Sequence, residues 1–148
     1  MESHQYTSEA RWTARRSGIV KPETAEQQIA FSAPPEFLGQ AGLWTPEHFL
    51  MAAAAGCFVT TFVAIAEASK FEMLSLEVSA TGTLEKGEGG LQFTRITIYP
   101  SLTIARESDR ERALRLLEKT ERSCLVARSL RSQVIVDATV LVEAPMAA

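Results

Sequence analysis

The amino-acid sequence predicts a single domain of the α+β class. The chain has 148 residues, which is a usual size for one domain built around one hydrophobic core. Stretches of alternating apolar residues, typical of strands, are grouped beside longer helical segments, and this grouping favours an α+β fold. No internal repeat or linker marks a second domain, so we assign residues 1–148 to one domain.

Composition and charge narrow the function classes. Hydrophobic residues at 46% and charged residues at 22% are ordinary globular values and exclude a disordered chain. The net charge of -3 argues against a nucleic-acid-binding protein. The polar start MESHQYTSEARW carries no apolar signal segment, so we expect a cytoplasmic protein. Two cysteines and two histidines at these spacings make a poor zinc site, and we expect no metal and no cofactor.

The first part of the chain gives the weakest structural signals. Tyr6–Arg16 and Thr24–Ser32 are typical of edge strands, and we expect a turn between them near Ser17–Gly18. Gly39 and Gly42 mark a loop. These strands should therefore lead through a loop into the centre of the chain.

A long helix is predicted at the centre, from Pro46 to about Lys70. Thr45 is a suitable N-cap, proline is tolerated at the first helical position, and Glu47 places negative charge in the first turn. Phe49–Ala66 has no charged residue and reaches the lower length limit of a membrane span. Its many small residues also suit a helix buried by protein on every side. We therefore expect a buried core helix and no membrane contact.

A β-hairpin is predicted after the helix. From Leu74 to Leu84 apolar and polar residues alternate, which is the period-two pattern of a half-buried strand. KGEGG (Lys86–Gly90) is typical of a turn, and Leu91–Ile104 is typical of a second strand. The two strands should pair in antiparallel fashion.

The last third of the chain predicts a helix, a short helical segment and a strand. Ser108 followed by Glu111 is typical of a capping box. Ser123–Arg131 is expected to add a further helical turn or two. Three residues give the helix that begins near Ser108 its apolar stripe: Ala113, Leu114 and Leu117. The closing strand is expected to have an apolar face made by Val134, Val136, Ala138, Val140 and Val142.

The two cysteines are the residues with the clearest chemical use. Cys124 stands at a predicted helix start with Arg122 and Arg128 nearby, and both features favour a thiolate. Cys57 lies within the apolar helix, and that setting should raise its pKa. On local electrostatics alone Cys124 is the more reactive thiol, and Cys57 would need a cation from elsewhere in the fold. The alternative is that both are small buried residues without chemistry.

Two motifs give the sequence a family resemblance. GLWTPEHFLMAAAAGCF (Gly42–Phe58) resembles the signature of the OsmC/Ohr family, the osmotically inducible and organic-hydroperoxide-resistance proteins. SCLVARSL (Ser123–Leu130) is similar to the second cysteine motif of that family, and the resemblance covers about Tyr6 to Val142. It implies an OsmC-like fold, with antiparallel sheets packed on a long central helix. It also implies an intertwined homodimer with two composite sites.

The resemblance assigns roles to four residues. Cys57 matches the peroxide-reducing cysteine, and Cys124 matches the resolving one. Glu47 matches the glutamate at the helix start. Arg16 is the best match for the active-site arginine, with Arg15 as the alternative. The arginine would stabilise the thiolate and the developing charge on the peroxide, and the glutamate would orient the guanidinium.

The activity that the resemblance implies is thiol-dependent reduction of organic hydroperoxides to alcohols. Cys57 would form a sulfenic acid, Cys124 would condense with it to a disulfide, and an external dithiol would reset the pair. A lipoylated protein is the implied source of that dithiol. A non-catalytic OsmC-like binding or structural protein and a disulfide redox sensor remain as alternatives, because a fold does not fix a function.

Two further expectations concern the geometry of the site. Ten residues of straight helix separate Glu47 from Cys57 by about 15 Å, so either the helix bends or the sites share residues across a dimer interface. We favour the shared sites. Apolar residues near the same loop and helix are predicted to line an entrance for bulky hydroperoxides, unless they are ordinary core. They are Phe37, Leu38, Trp44, Phe49, Met51 and Phe58.

Overall fold

The structure is a computed structural model that describes residues 2–143. The chain divides into two compact units, Met1–Leu50 and Met51–Ala148. Strands and helices occur together in the described chain, so the predicted α+β class is confirmed.

The first unit contains a three-stranded antiparallel sheet in the order β1-β2-β3. The strands are β1 Ser8–Ala14, β2 Ser17–Pro22 and β3 Ile29–Ser32. The predicted turn at Ser17–Gly18 is wrong, because both residues begin β2 and pair with β1 on one side and β3 on the other. The chain turns one step earlier, at Arg15 and Arg16, where Arg15 adopts a left-handed φ of 50°.

Gly18 is a strand residue for a steric reason. A Cβ atom at this position would lie 2.6 Å from the Arg11 carbonyl oxygen and 3.0 Å from the Phe31 ring. The glycine is therefore needed for the close approach of three strands and not for a turn.

The loop after β3 leads into the central helix through an aromatic cluster. Trp44 stacks on Phe49 with ring centroids 5.4 Å apart, and Phe31 meets the same Phe49 ring edge-on at 6.1 Å. Helix α1 then spans Pro46–Ala68. Thr45 is its N-cap as predicted, since the Thr45 hydroxyl accepts the His48 backbone N–H at 3.0 Å.

The second unit contains a mixed sheet around β5. Strands β4 Ser75–Gly87 and β5 Gly90–Ile104 form the predicted antiparallel hairpin. The closing strand is split into β6 Gln133–Val136 and β7 Thr139–Val142, both parallel to β5 in one continuous register. The interruption faces Pro100 of β5, which has no backbone N–H to donate to the ladder.

The core of the second unit lies between α1, the sheet and helix α2, which spans Arg110–Ser123. One stripe of α1 at i, i+4 spacing is buried: Ala54, Phe58, Phe62 and Ala66. The sheet contributes chiefly Ile96, Ile98, Leu102 and Ile104, and α2 contributes Ala113, Leu116 and Leu117.

Burial of α1 on every side was predicted, and this is wrong for the single chain. The helix is long and apolar enough to cross a membrane by length and composition, yet 22% of its most apolar stretch is buried. The stripe with the large phenylalanine side chains meets the core together with Met51 and Ile65, and the face made of small residues is exposed.

The start of α2 also differs from the prediction. Asp109 stands at the N-cap position without a side-chain cap, and the expected capping box of Ser108 and Glu111 is absent. Short ion pairs engage the polar side chains there instead, Arg106 with Asp109 and Arg110 with Glu107. In the apolar stripe, Leu114 is 42% exposed and Leu116 takes its place in the core.

Candidate thiol site

Two free thiols belong to the second unit, each fixed by helical structure. Cys57 is half-buried on α1. Cys124 is 1% exposed and joins α2 to the short helix α3, Leu125–Arg128. Its N–H donates to the Thr120 carbonyl at 2.9 Å, and its carbonyl accepts the Arg128 N–H at 3.1 Å. The residue therefore ends one helix and begins the next, which holds its side chain in the interior.

Hydrogen bonds make Cys57 the more acidic thiol. Burial raises the pKa of Cys57, but hydrogen bonds from the Val126 N–H, the Cys124 thiol, the Thr61 hydroxyl and the Leu125 N–H lower it. The net pKa lies below the ordinary thiol value of 9.0. Donors that point at a sulfur stabilise its anion, so Cys57 ionises at a lower pH than an ordinary cysteine.

The pKa of Cys124 shifts in the opposite direction. Burial raises it, the Ala127 N–H opposes that effect, and the neighbouring Cys57 sulfur and its charge raise it further. The surroundings therefore favour the anion at Cys57 and the neutral thiol at Cys124. The two titrations are linked, because each thiol is among the causes of the other's shift.

The expected order of acidity, with Cys124 as the more acidic of the two thiols, is thus wrong. The sequence assigned the thiolate-favouring surroundings to Cys124 because it begins a short helix. In the structure the backbone N–H groups of Leu125 and Val126 in that helix act on Cys57. The sequence analysis also missed Thr61, whose i+4 spacing from Cys57 on one helix would have revealed it.

The predicted arginine and glutamate belong to the first unit. The Arg16 carbonyl accepts the Ala33 N–H at 3.0 Å and the Ser32 hydroxyl at 3.3 Å, which ties the β1–β2 turn to the segment after β3. The Arg16 guanidinium donates to the Phe37 carbonyl at 3.4 Å. Glu47 lies in the first turn of α1. The expected ion pair between Arg16 and Glu47 is absent from the described single chain.

A cavity of about 620 Å³ lies within the first unit, beside the β1–β2 turn. Arg15 and Arg16 both line it, so the structure leaves the choice between these two arginines open. Other lining residues come from β2, β3 and the following loop, and they include Gly18, Phe31, Leu38 and Gln40.

The residues predicted to line an apolar entrance belong to both units, and the burial of Phe58 contradicts the prediction for that residue. Leu38 does line the cavity, and it is 77% exposed. Phe58 is fully buried in the core of the second unit, and Met51 packs against that core. Trp44 and Phe49 stack on each other in the first unit. Phe37 presents its backbone carbonyl to Arg16. The position of Phe58 follows from its place on the i, i+4 stripe of α1, which the all-round apolar sequence of that helix conceals.

The fold and the site define a class of α+β proteins in which two free thiols of unequal acidity meet beside a long apolar helix. Residues 39–139 match the OsmC-like protein family, which is more than half of the chain. The chain belongs to this family, and the resemblance seen in the sequence is confirmed.

Relatives and solved structures agree with this assignment. The uncharacterised protein YmaD of Bacillus subtilis is 27% identical over 137 residues, covering 90% of this chain and 91% of YmaD. The structure of an OsmC-like protein of unknown function from Vibrio cholerae is similar with a TM-score of 0.83 at 18% identity, covering 92% of this chain and 99% of that one. An organic hydroperoxide resistance protein from Legionella pneumophila is similar with a TM-score of 0.75 at 20% identity, covering 96% and 100%. The predicted OsmC-like fold is confirmed.

Proposed function

We propose that this protein is a thiol-dependent peroxidase that reduces organic hydroperoxides to alcohols at Cys57. The observation that supports this most directly is the pairing of two free thiols, Cys57 on α1 and Cys124 between α2 and α3, with the Thr61 hydroxyl 3.7 Å from the Cys57 sulfur. The surroundings act on the two thiols in opposite directions, lowering the pKa of Cys57 and raising that of Cys124. Neighbouring titratable groups whose surroundings move their pKa values apart are typical of a pair with separate chemical roles. Membership of a family with relatives named as organic hydroperoxide resistance proteins agrees with this chemistry.

The proposed reaction begins at the sulfur of Cys57. Its thiolate attacks the distal oxygen of the hydroperoxide, the O–O bond breaks, and the alkoxide takes a proton and leaves as the alcohol. Cys57 is thereby oxidised to a sulfenic acid. The Cys124 thiol then attacks the sulfenic sulfur, and the sulfenic hydroxyl leaves as water with the thiol proton as the disulfide forms.

Reduction of the disulfide needs an external dithiol. Exchange with that dithiol breaks the Cys57–Cys124 bond, returns both cysteines to thiols and leaves the dithiol oxidised. A dihydrolipoyl group on a carrier protein is the source that we propose. Cys124 is 1% exposed and Cys57 is half-buried, so Cys57 is the more accessible of the two residues in the single chain.

We also propose that Arg16 completes the site as its cation, with Arg15 as the alternative, and that Glu47 orients it. In the single chain the Arg16 guanidinium bonds only a carbonyl among the described residues, at the long distance of 3.4 Å. A guanidinium held by one long hydrogen bond is free to take a carboxylate or thiolate partner. We propose that it finds this partner in a second copy of the chain.

A homodimer is the assembly that we propose for the exposed face of α1. The face consists of small residues of that helix: Ala52, Ala53, Gly56, Thr60 and Ala64. Small residues allow two helices to approach closely, and covering them removes apolar surface from water. A second copy of the same helix has the matching apolar surface, so we propose a protein partner here and not a lipid.

Lysine at position 64 should separate the dimer. In Ala64→Lys the new ammonium would lie in an apolar interface, where an unpaired charge is costly. We expect this variant to sediment as a monomer and to lose at least about tenfold in hydroperoxide turnover, since the proposed site needs both copies. Glu118→Lys, on an exposed position of α2, is the matched control and should remain dimeric and active. A fully active Ala64→Lys monomer would overturn the shared site.

The peroxidase proposal is tested by the consumption of cumene hydroperoxide with a dithiol as the reductant. We expect steady turnover with the dithiol and little with a monothiol at the same thiol concentration, because a dithiol completes the exchange within one molecule. If the wild-type protein consumes no hydroperoxide, the proposal is wrong. A disulfide that still forms would then favour a redox sensor, and two inert thiols would favour a binding or structural protein.

A further inference from the structure

We propose that Thr61 is a further functional residue of the thiol site, whose hydroxyl donates a hydrogen bond to the Cys57 thiolate. Its Oγ1 lies 3.7 Å from the Cys57 Sγ, on the same unit of the chain. The hydrogen bond itself does not depend on the reaction. Its contribution to turnover rests on the peroxidase function proposed above.

Helical spacing brings the two groups together. Residues four apart on an α-helix lie on the same face, so Thr61 stands one turn beyond Cys57. Threonine is branched at Cβ and has few side-chain rotamers in a helix, which limits the entropy lost when its hydroxyl is held in place. The hydroxyl is thus positioned by α1 alone and needs no loop to move into place.

The usual alternative partner of this hydroxyl is already occupied. A threonine within a helix commonly donates to the carbonyl four residues earlier, which for Thr61 is the carbonyl of Cys57. That carbonyl accepts the hydroxyl of Thr60 at 3.2 Å. The hydroxyl of Thr61 instead contacts the sulfur. The hydroxyl of Thr60 therefore bonds the Cys57 carbonyl, and the hydroxyl of Thr61 bonds the Cys57 sulfur.

The bond has a fixed direction once Cys57 is ionised. A thiolate has no proton and can only accept, so the Thr61 hydroxyl must be the donor. Charged hydrogen bonds are stronger than neutral ones, and the contact therefore stabilises the thiolate more than the thiol. From α3 the N–H groups of Leu125 and Val126 act in the same sense, and the titratable group from that side is Cys124.

The test measures the alkylation of Cys57 by iodoacetamide across a range of pH, with the modified peptide quantified by mass spectrometry. Thr61→Val removes the hydroxyl and keeps the shape. We expect the midpoint of its pH profile to rise by about one pH unit relative to wild type. The plateau rate at high pH should not fall, because a more basic thiolate is intrinsically at least as nucleophilic.

Two variants act as controls. Thr94→Val removes a threonine hydroxyl on β5, which bonds the Glu85 carboxylate and not the sulfur, and its midpoint should match wild type. Thr61→Ser restores a hydroxyl at position 61, and its midpoint should return towards wild type. Thr61→Ala serves as a second hydroxyl-free variant if circular dichroism shows that valine disturbs the fold.

The proposal is overturned if the hydroxyl-free variants at position 61 share the wild-type midpoint, or if only their plateau rate falls. Alkylation needs no peroxide, so the outcome is independent of turnover. A shifted midpoint in a protein that consumes no hydroperoxide would support the Thr61 bond and reject the peroxidase. Turnover in a protein whose midpoint does not move would reject the bond and support the peroxidase.

Discussion

Cys57→Ser should abolish the consumption of cumene hydroperoxide, with a loss of at least about a thousandfold relative to wild type. A serine hydroxyl is scarcely ionised near neutral pH and cannot form the sulfenic acid on which the reaction depends. The donors around position 57 would remain in place, so the variant should keep the wild-type far-ultraviolet circular dichroism. The measurement is the disappearance of hydroperoxide with a dithiol present.

Cys124→Ser should separate the two chemical steps. This variant keeps the Cys57 thiol, so we expect one hydroperoxide to be consumed per site and the sulfenic acid to be trapped by dimedone. The catalytic cycle through the disulfide should then stop, because serine cannot form that bond. Full turnover in Cys57→Ser would contradict the assignment of Cys57. Full turnover in Cys124→Ser would contradict the assignment of Cys124.

Gly39→Ala should destabilise the first unit by at least about 3 kcal/mol. A Cβ atom at this position would overlap the Ala33 carbonyl oxygen and would lie 2.9 Å from the Ser32 hydroxyl. The backbone must therefore move. Ala33 belongs to the segment that would move, and its N–H donates to the Arg16 carbonyl. The change should also disturb the cavity that Arg16 lines.

Urea unfolding followed by tryptophan fluorescence measures this loss, because both tryptophans, Trp12 and Trp44, belong to the first unit. Gly42→Ala is the control. Gly42 has a φ of 86°, but a Cβ atom there would meet nothing within 4 Å beyond its chain neighbours, so only backbone strain of about 1–2 kcal/mol is expected. If Gly39→Ala is no less stable than Gly42→Ala, the close packing of Gly39 against Ala33 and Ser32 is wrong.

The parts of the fold that sequence predicted well depend on local patterns. Thr45 caps α1, and β4 pairs with β5 as an antiparallel hairpin, because capping residues and period-two alternation act over a few neighbouring residues. The prediction of a turn at Ser17–Gly18 was wrong, because glycine occurs both in turns and at positions where strands approach each other closely. The partner strands that decide between these lie elsewhere in the chain.

The residues of the site were predicted from the family motifs and not from the physical properties of the sequence around them. The resemblance selected Cys57 and Cys124, whereas the local electrostatics of the sequence chose the wrong thiol as the more acidic. The N–H groups of Leu125 and Val126 lower the pKa of Cys57 from far along the chain, and no pattern around Cys57 reveals them. The apolar entrance failed in part for a related reason: α1 is apolar all round, so its sequence does not indicate that Phe58 faces the core.

The central claim is that hydroperoxide chemistry joins Cys57 to Cys124. Mass spectrometry of the reduced protein after one equivalent of cumene hydroperoxide tests it most directly. We expect the intact mass to fall by two hydrogen atoms and a non-reduced digest to contain the peptides of Cys57 and Cys124 linked to each other. A protein that stays fully reduced, or whose oxidised Cys57 accumulates without a bond to Cys124, would contradict this account.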